Sequence, residues 1–449
     1  MTGKDDIDFG RVRISKLFRK IFIPTLLGMV SWSLLTVADG IFVGLGVGSH
    51  GIASINICFP IFIVVNGFAL MVGMGASVVA SIHMSQNNMK AARINITQAL
   101  LFTTILVLAF TIFVELFPTT LSLLLGASPT LLPFVRDYMV WLIPSGVMLA
   151  WSVIGLFIIR LDGSPKYAMW CNVLPALLNL VLDWLFIFPL NMGVKGAAMA
   201  SSMATAVGGV MALIYLFFFA KRLVIYKLKT SLTAMRLMLR NIGYQCKIGL
   251  SALLEEATMA MLMVIGNIVF MKYLGNDGVA AFGAACYYLP FVFIFGNAIA
   301  QSAQPIISYN YGSGNSARVR EVSMLSFRMC LMCSLLPIAA FVLFPDLLAH
   351  LFISSSDTAS QIAVAGFPYF ATGFLFFIFN LVAIGFFQSV ERVVPATVFA
   401  LLRGVVLPLP SFIVLPMFLG DKGIWLAMPL SEILTFAIIA VYFALCRNK

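Results

Sequence analysis

Gly48-Ser49-His50-Gly51-Ile52-Ala53 returns 227 residues later as Gly275-Asn276-Asp277-Gly278-Val279-Ala280. The same offset sets Lys20-Ile21 on Lys247-Ile248, Ile41 on Ile268, Ser81 on Ser308 and Arg93 on Arg320. It also sets Gly193-Val194-Lys195-Gly196 on Gly420-Asp421-Lys422-Gly423, with no gap over long stretches. Self-similarity at a fixed offset means one structural unit used twice.

Composition says what the unit is made of. Hydrophobic residues are 61% of 449 and charged residues 10%, against about 25% charged in soluble domains. Only a polytopic membrane protein fits. A helical crossing takes about 20 apolar residues, and twelve such runs are expected, near 18–46, 52–83, 95–117, 133–159, 168–190, 195–220, 246–273, 279–309, 324–352, 360–388, 394–419 and 423–446. Six crossings per copy leave both copies in one orientation. The expected fold is therefore all-α integral membrane, twelve transmembrane helices in two parallel six-helix repeats related by an axis along the membrane normal. Residues 1–220 are expected to form the N-terminal bundle and 246–449 the C-terminal one. Between them, 221–245 intersperses Leu223, Val224, Ile225, Leu228, Leu232, Met235, Leu237 and Met238 with Lys and Arg, a pattern that predicts an amphipathic helix lying on the membrane surface.

The net charge of +11 raises nucleic acid as a partner, but its placement points elsewhere. With the N-terminus in the cytoplasm, 23 of the 28 Lys and Arg fall at or before the start of the first run, in or beside the inner loops, or at the tail. The outer loops hold Lys195, Lys272 and Lys422, and Arg136 and Arg403 lie inside or at the edge of runs. This is a positive-inside distribution, so both termini are expected in the cytoplasm and no nucleic acid is expected. The first run, with Pro24 and Asp39, is too long and too polar in its outer half for a signal-peptide core. Seven cysteines lie almost wholly within runs. Cys330-x-x-Cys333 on such a helix reads as two small apolar side chains, and no disulfide framework or metal site is implied.

No Gly-x-x-x-x-Gly-Lys-Ser/Thr loop is present, which leaves ATP without a binding site of that kind. His50, His83 and His350 sit near run ends without paired-ligand spacing, so an enzyme is not expected. What remains is a set of carboxylic acids within apolar runs, each costing about 2.5–3.5 kcal/mol at mid-helix. Asp39 in the first run and Asp183 in the fifth lie at similar depth in the outward half of the N-terminal bundle. If they meet, desolvation and like charge both disfavour double ionisation, and the pair can hold a proton and release it to an arriving cation or water. The plainer reading of each is a neutral acid donating a hydrogen bond to a neighbouring helix. Asn179 lies one turn before Asp183, and Ser201, Ser202 and Thr205 open the sixth run, all placed to orient a carboxyl group. Ser201 also suits small-residue helix packing.

Glu255 and Glu256 are adjacent in the seventh run and about 100° apart on a helix, so one of them at most faces a cavity well. Either is a possible second cation or proton site. Glu432 and Arg403 read as a buried pair. Asn66, Asn172, Gln301, Gln304 and Asn380 are candidates for an interior substrate space, with 40 Phe and 24 Met as adaptable apolar walls.

Four motifs carry a resemblance over essentially the whole chain: Arg160-x-Asp162-Gly163-x-Pro165-x-x-Ala168-Met169, followed by Asn172; Asn179-x-x-x-Asp183-x-x-Phe186-Ile187-Phe188; Gly193-Val194-x-Gly196-Ala197-Ala198-x-Ala200-Ser201; and Gln301-x-x-Gln304-Pro305 running to Tyr311-Gly312. They resemble the multidrug and toxic compound extrusion transporters, of the superfamily that also holds lipid-linked oligosaccharide flippases. The resemblance implies a central cavity that opens alternately to the two sides and exports bulky, often cationic or aromatic compounds, driven by proton or sodium entry. By that similarity Asp39, Asp183, Asn179 and Ser201 look like the coupling site of the DinF-like branch, where any bound Na+ would sit. One of Glu255 and Glu256 looks like the seventh-helix acid of the NorM-like branch, but its tenth-helix partner is missing, since the run around Phe377, Asn380 and Gln388 carries no acid.

The expectation is a cation-coupled multidrug antiporter in a bacterial inner membrane, acting as a monomer on small-molecule drugs or toxic organic cations among membrane lipids. The coupling ion, H+ or Na+, stands in place of any cofactor. The alternative, a flippase for a lipid-linked oligosaccharide or lipid, needs a cationic groove, for which Arg160 and Arg403 are the material at hand. At the repeat offset Asp39 falls on Gly266 and Asp183 on Pro410, so ion coupling is expected in one half only.

Overall fold

The computed structural model describes residues 7–353 and 357–447, apart from the side chains at 49, 50, 446 and 447. Lys4, Lys449 and the side chains of His50 and Arg447, which entered the sequence reading, lie outside the described set. Regular structure among the described residues is helical throughout. The helices are α1 (Ile14–Gly46), α2 (Ser49–Ser85), α3 (Met89–Leu116), α4 (Pro118–Leu124), α5 (Leu132–Leu142), α6 (Gly146–Leu161), α7 (Pro165–Ile187), α8 (Gly193–Ile214), α9 (Leu232–Gly312), α10 (Ser316–Leu343), α11 (Pro345–His350), α12 (Thr358–Ala371), α13 (Phe374–Ser389), α14 (Val393–Leu401) and α15 (Pro408–Arg447).

Among these, nine helical stretches are long and apolar enough to cross a bilayer, and the pair α12 and α13, bent by 48° at Thr372-Gly373, adds a tenth. Two of the nine, Leu232–Gly312 and Val393–Leu445, are broken at Gly275 and Gly420. Each supplies two crossings, which gives the twelve-helix, two-repeat architecture expected from the sequence. The breaks are the repeat made visible. Gly275 (φ 64°) matches Gly48 (φ 84°), and Gly420 (φ 55°) matches Gly193 (φ 59°). A positive φ is nearly free of steric cost for glycine alone, so these four residues fix where one crossing turns into the next.

Two compact units result. Unit 1 is Met1–Leu253 with Ser308–Asn315, and unit 2 is Leu254–Ile307 with Ser316–Lys449. In unit 1, α1 packs along α7, α7 along α8, and α6 against α2 and α8. In unit 2, α13 packs against α10 and α15, and α12 against α15. Its interior includes a run of aromatic rings: Phe341 meets Phe374 edge-on at 5.0 Å, and Trp425 meets Phe270 edge-on at 4.8 Å. Such edge contacts add about 0.5–1.5 kcal/mol each beyond burial.

The first unit reaches past residue 245 because α2 and the start of α9 touch backbone to backbone. Gly75 faces the carbonyl of Gln245, and Gly249 faces the carbonyl of Met71, with no room for a Cβ at either. Amides lock the same seam. Gln245 Nε2 donates to Asn95 Oδ1 at 2.9 Å and Asn241 Nδ2 to Gln98 Oε1 at 3.2 Å. The end of α9's second limb joins unit 1 through Asn310, whose Nδ2 donates to the Phe9 carbonyl at 3.1 Å.

The joining segment differs from the expected surface helix. Residues 220–231 form no helix, which begins only at Leu232, capped by Ser231. The cause is Asp162, just past α6. Its carboxylate accepts the backbone N–H of Lys221, Arg222 and Leu223 at 2.9, 2.9 and 2.8 Å, and the Tyr215 hydroxyl at 2.7 Å. Amides so engaged cannot enter a helical ladder. Tyr226 N–H goes to Thr97 Oγ1 at 2.9 Å, and Leu223 is fully buried. Leu223 therefore serves unit 1, and the helical part from Leu232 keeps Leu232, Met235 and Leu237 exposed.

Candidate functional site

The buried face of α7 carries Ala168, Cys171, Asn172, Pro175, Ala176, Asn179, Asp183 and Ile187, the three-and-four spacing of an inward stripe. Asn172, Asn179 and Asp183 all lie on it. Along this stripe runs α1, brought close by Gly28, whose Cβ would stand 3.2 Å from Asn172 Nδ2. One helix thus supplies Asp39 and the other Asp183.

The two carboxyl groups lie close enough to interact electrostatically. Two acids brought together away from water disfavour double ionisation. Asp183 is fully buried, and its Oδ2 accepts Asn179 Nδ2 at 2.9 Å. Asp39 Oδ1 and Asp183 Oδ1 are buried without any hydrogen-bond partner. Unsatisfied buried acceptors are uncommon and costly, and here two of them belong to neighbouring acids. Val43, Val135, Met139, Ile187, Val194 and Ala197 pack into one apolar core nearby.

The structure adds two groups that sequence reasoning passed over. Tyr138 of α5 is buried, and it shares electrostatic contact with Asp39, Asp183 and Cys58. Cys58 is buried and donates its thiol to the Val135 backbone carbonyl at 3.5 Å. A signal for Tyr138 was present: a tyrosine within an apolar run brings a hydroxyl that calls for a polar neighbour.

Other expected residues take other positions. Ser201 is half-buried, with no hydrogen bond to either acid among the described residues. Its neighbour Ser202 donates to the Trp141 carbonyl at 2.8 Å, a helix-packing contact. Of the residues expected around a substrate space, Asn66 is half-buried, while Asn172, Gln301, Gln304 and Asn380 are buried. Asn380 is committed to Glu432, as described below. Glu255 is buried with Oε1 unpartnered, and Glu256 is half-buried.

A doubled six-helix membrane unit with paired carboxyl groups inside one copy is the architecture of a polytopic transporter. The MatE family model matches the chain twice, over residues 24–185 and 252–413, and the chain belongs to that family. Among curated relatives, an FAD transporter of Shewanella oneidensis is 25% identical over 436 residues, covering 94% of this chain and 92% of that one. The multidrug export protein MepA of Staphylococcus haemolyticus is 24% identical over 458 residues, covering 98% and 96%. Among solved structures, an outward-facing multidrug resistance MATE family transporter superposes with a TM-score of 0.90 at 23% identity, covering 98% of this chain and 97% of that one. A superfamily member from Pyrococcus furiosus gives a TM-score of 0.89 at 22% identity over 98% and 97%.

Proposed function

We propose that this protein is a cation-coupled multidrug antiporter, exchanging an entering proton or sodium ion for bulky, often cationic or aromatic compounds by alternating access. The observation that carries the reading is the pair of neighbouring acids Asp39 and Asp183 inside unit 1, each with a buried, unpartnered oxygen. A proton held between these acids leaves when a cation arrives, or a proton itself is the coupled ion. For sodium, the carboxyl oxygens of both acids and the Asn179 side chain supply hard oxygen ligands of the kind such ions take. Tyr138 borders the pair and limits where its charge can spread. Ion and drug each act only through different affinities for the two conformations. The Lys- and Arg-rich end faces the cytoplasm of a bacterial inner membrane, and the monomer works among lipids.

A second substrate reading rests on the FAD transporter relative: an anionic flavin nucleotide in place of an organic cation. A flippase gains less support, because Arg160 and Arg403 are both buried and Arg403 is tied to Glu432.

Proteoliposomes under an imposed pH gradient, with and without sodium, test the reading. Wild type is expected to expel a cationic dye against its gradient, and Asp183→Asn to lose that uphill transport while reconstituting normally. Full gradient-driven efflux by Asp183→Asn would sink the coupling assignment. FAD offered in the same vesicles decides between the two substrate classes.

A further inference from the structure

Unit 2 holds a charged cluster that coupling in unit 1 does not use. Arg403 Nε stands 3.0 Å from Glu432 Oε1 and 3.2 Å from Oε2, with both side chains almost wholly buried. Asn380 Nδ2 donates to Glu432 Oε2 at 2.7 Å and to its backbone carbonyl at 2.9 Å. The guanidinium lies over the Phe377 ring, 4.1 Å from its centroid. Glu255, from α9, is within electrostatic reach of the same guanidinium. Gly404 brings these helices together, since it rests on Thr258, one turn from Glu255, with no room for a Cβ.

Three features mark the cluster as more than one stray ion pair. Arg403 sits on a π turn, Leu402–Val406, closed by the Leu407 N–H to the Leu402 carbonyl at 3.0 Å. The repeat-equivalent residues 175–179 are plain α-helix within α7. A π turn inserts one residue and re-aims the side chains on it, often at functional sites. At the repeat offset Arg403, Glu432, Glu255 and Asn380 fall on Ala176, Thr205, Gly28 and Val153, so no member has a charged or amide counterpart in unit 1. Last, two acceptors are left over: Glu255 Oε1 and Asn380 Oδ1 remain buried and unpartnered. Without the guanidinium, two carboxyl groups and an amide oxygen would form the hard-oxygen set that a small cation takes.

We propose that Arg403 is a resident cation which closes a latent cation site formed by Glu432, Glu255 and Asn380 in unit 2. The guanidinium neutralises the acids permanently, and exchangeable ions are left to unit 1. Only this last consequence rests on the proposed coupling at Asp39 and Asp183.

The test is equilibrium binding of tracer sodium to the purified full chain, with proton uptake followed in parallel. Arg403→Gln is expected to bind one cation more per chain than wild type, and Arg403→Gln/Glu432→Gln to lose that extra ion. Arg403→Lys keeps a positive charge and is expected to keep the wild-type number. A folded Arg403→Gln that binds no additional cation overturns the proposal. Where Arg403→Gln does not accumulate, Glu255→Gln decides: the number of cations bound stays at the wild-type value, and a drop of one overturns the proposal. Failure of the unit 1 assignment shows separately, as cation binding that survives Asp183→Asn.

Discussion

Asp183 accepts a hydrogen bond from Asn179 on one oxygen and has no partner on the other. Removing the donor by Asn179→Ala leaves the ionised carboxylate short of a charge-assisted hydrogen bond, about 1.5–3 kcal/mol. The half-saturating cation concentration for efflux should then move by about tenfold or more. Its sign identifies the ion. A sodium ion binds the ionised form and weakens, whereas a proton forms the neutral form and tightens, so titrating efflux against each ion separates the cases. Asp39 and Asp183 were legible in the sequence because ionisable groups inside apolar runs are costly and conspicuous. Tyr138 gave only the general signal of a hydroxyl in an apolar run, and Cys58 gave none, since a thiol is at home in a packed apolar helix. Ser201 shows the reverse: a residue picked out by its motif that bonds to neither acid among the described residues.

At the scale of elements, the crossings were legible from apolar run length and the turns between them from recurring glycines. The joining segment was not. Its first part is anchored by the buried Leu223 and by a carboxylate some sixty positions earlier gripping backbone amides, and only from Leu232 on does it form a helix with exposed apolar residues. Backbone donors carry no side-chain signature, so no pattern within 221–245 discloses the contact. Asp162→Ala would leave three amides without their acceptor, at about 1–3 kcal/mol for each that water cannot reach, while the Tyr215 hydroxyl keeps Ser164 Oγ at 2.7 Å. The expected result is a lower melting temperature and faster proteolysis within 221–231, read by mass spectrometry of the fragments. Unchanged cleavage would mean that the segment is held by its other contacts.

For the whole molecule, the duplicated plan followed from the 227-residue offset, while the composition of the two units did not. Unit 1 includes residues 232–253 and Ser308–Asn315, because Gly75 and Gly249 let backbones meet and Asn310 reaches Phe9. Glycine contacts of this kind depend on which helices face each other, and run length is silent on that. A fragment of residues 1–220 therefore lacks part of its own packing. Expressed alone it should aggregate in detergent, as size-exclusion chromatography would show, whereas the full chain elutes as a single species.

The return of Ser308–Asn315 to unit 1 also sets an order of events during synthesis. The ribosome delivers the chain from the N-terminus, so the partners of Gly75 and Phe9 emerge long after α1 and α2 have entered the bilayer. The α2 seam fills as soon as Gln245 and Gly249 emerge, but the contact at Phe9 waits through both limbs of α9. The first unit closes only when residue 315 has left the ribosome, by which time two crossings have been threaded past it. Assembly in this protein is thus not first half, then second half, but one half finished from within the other.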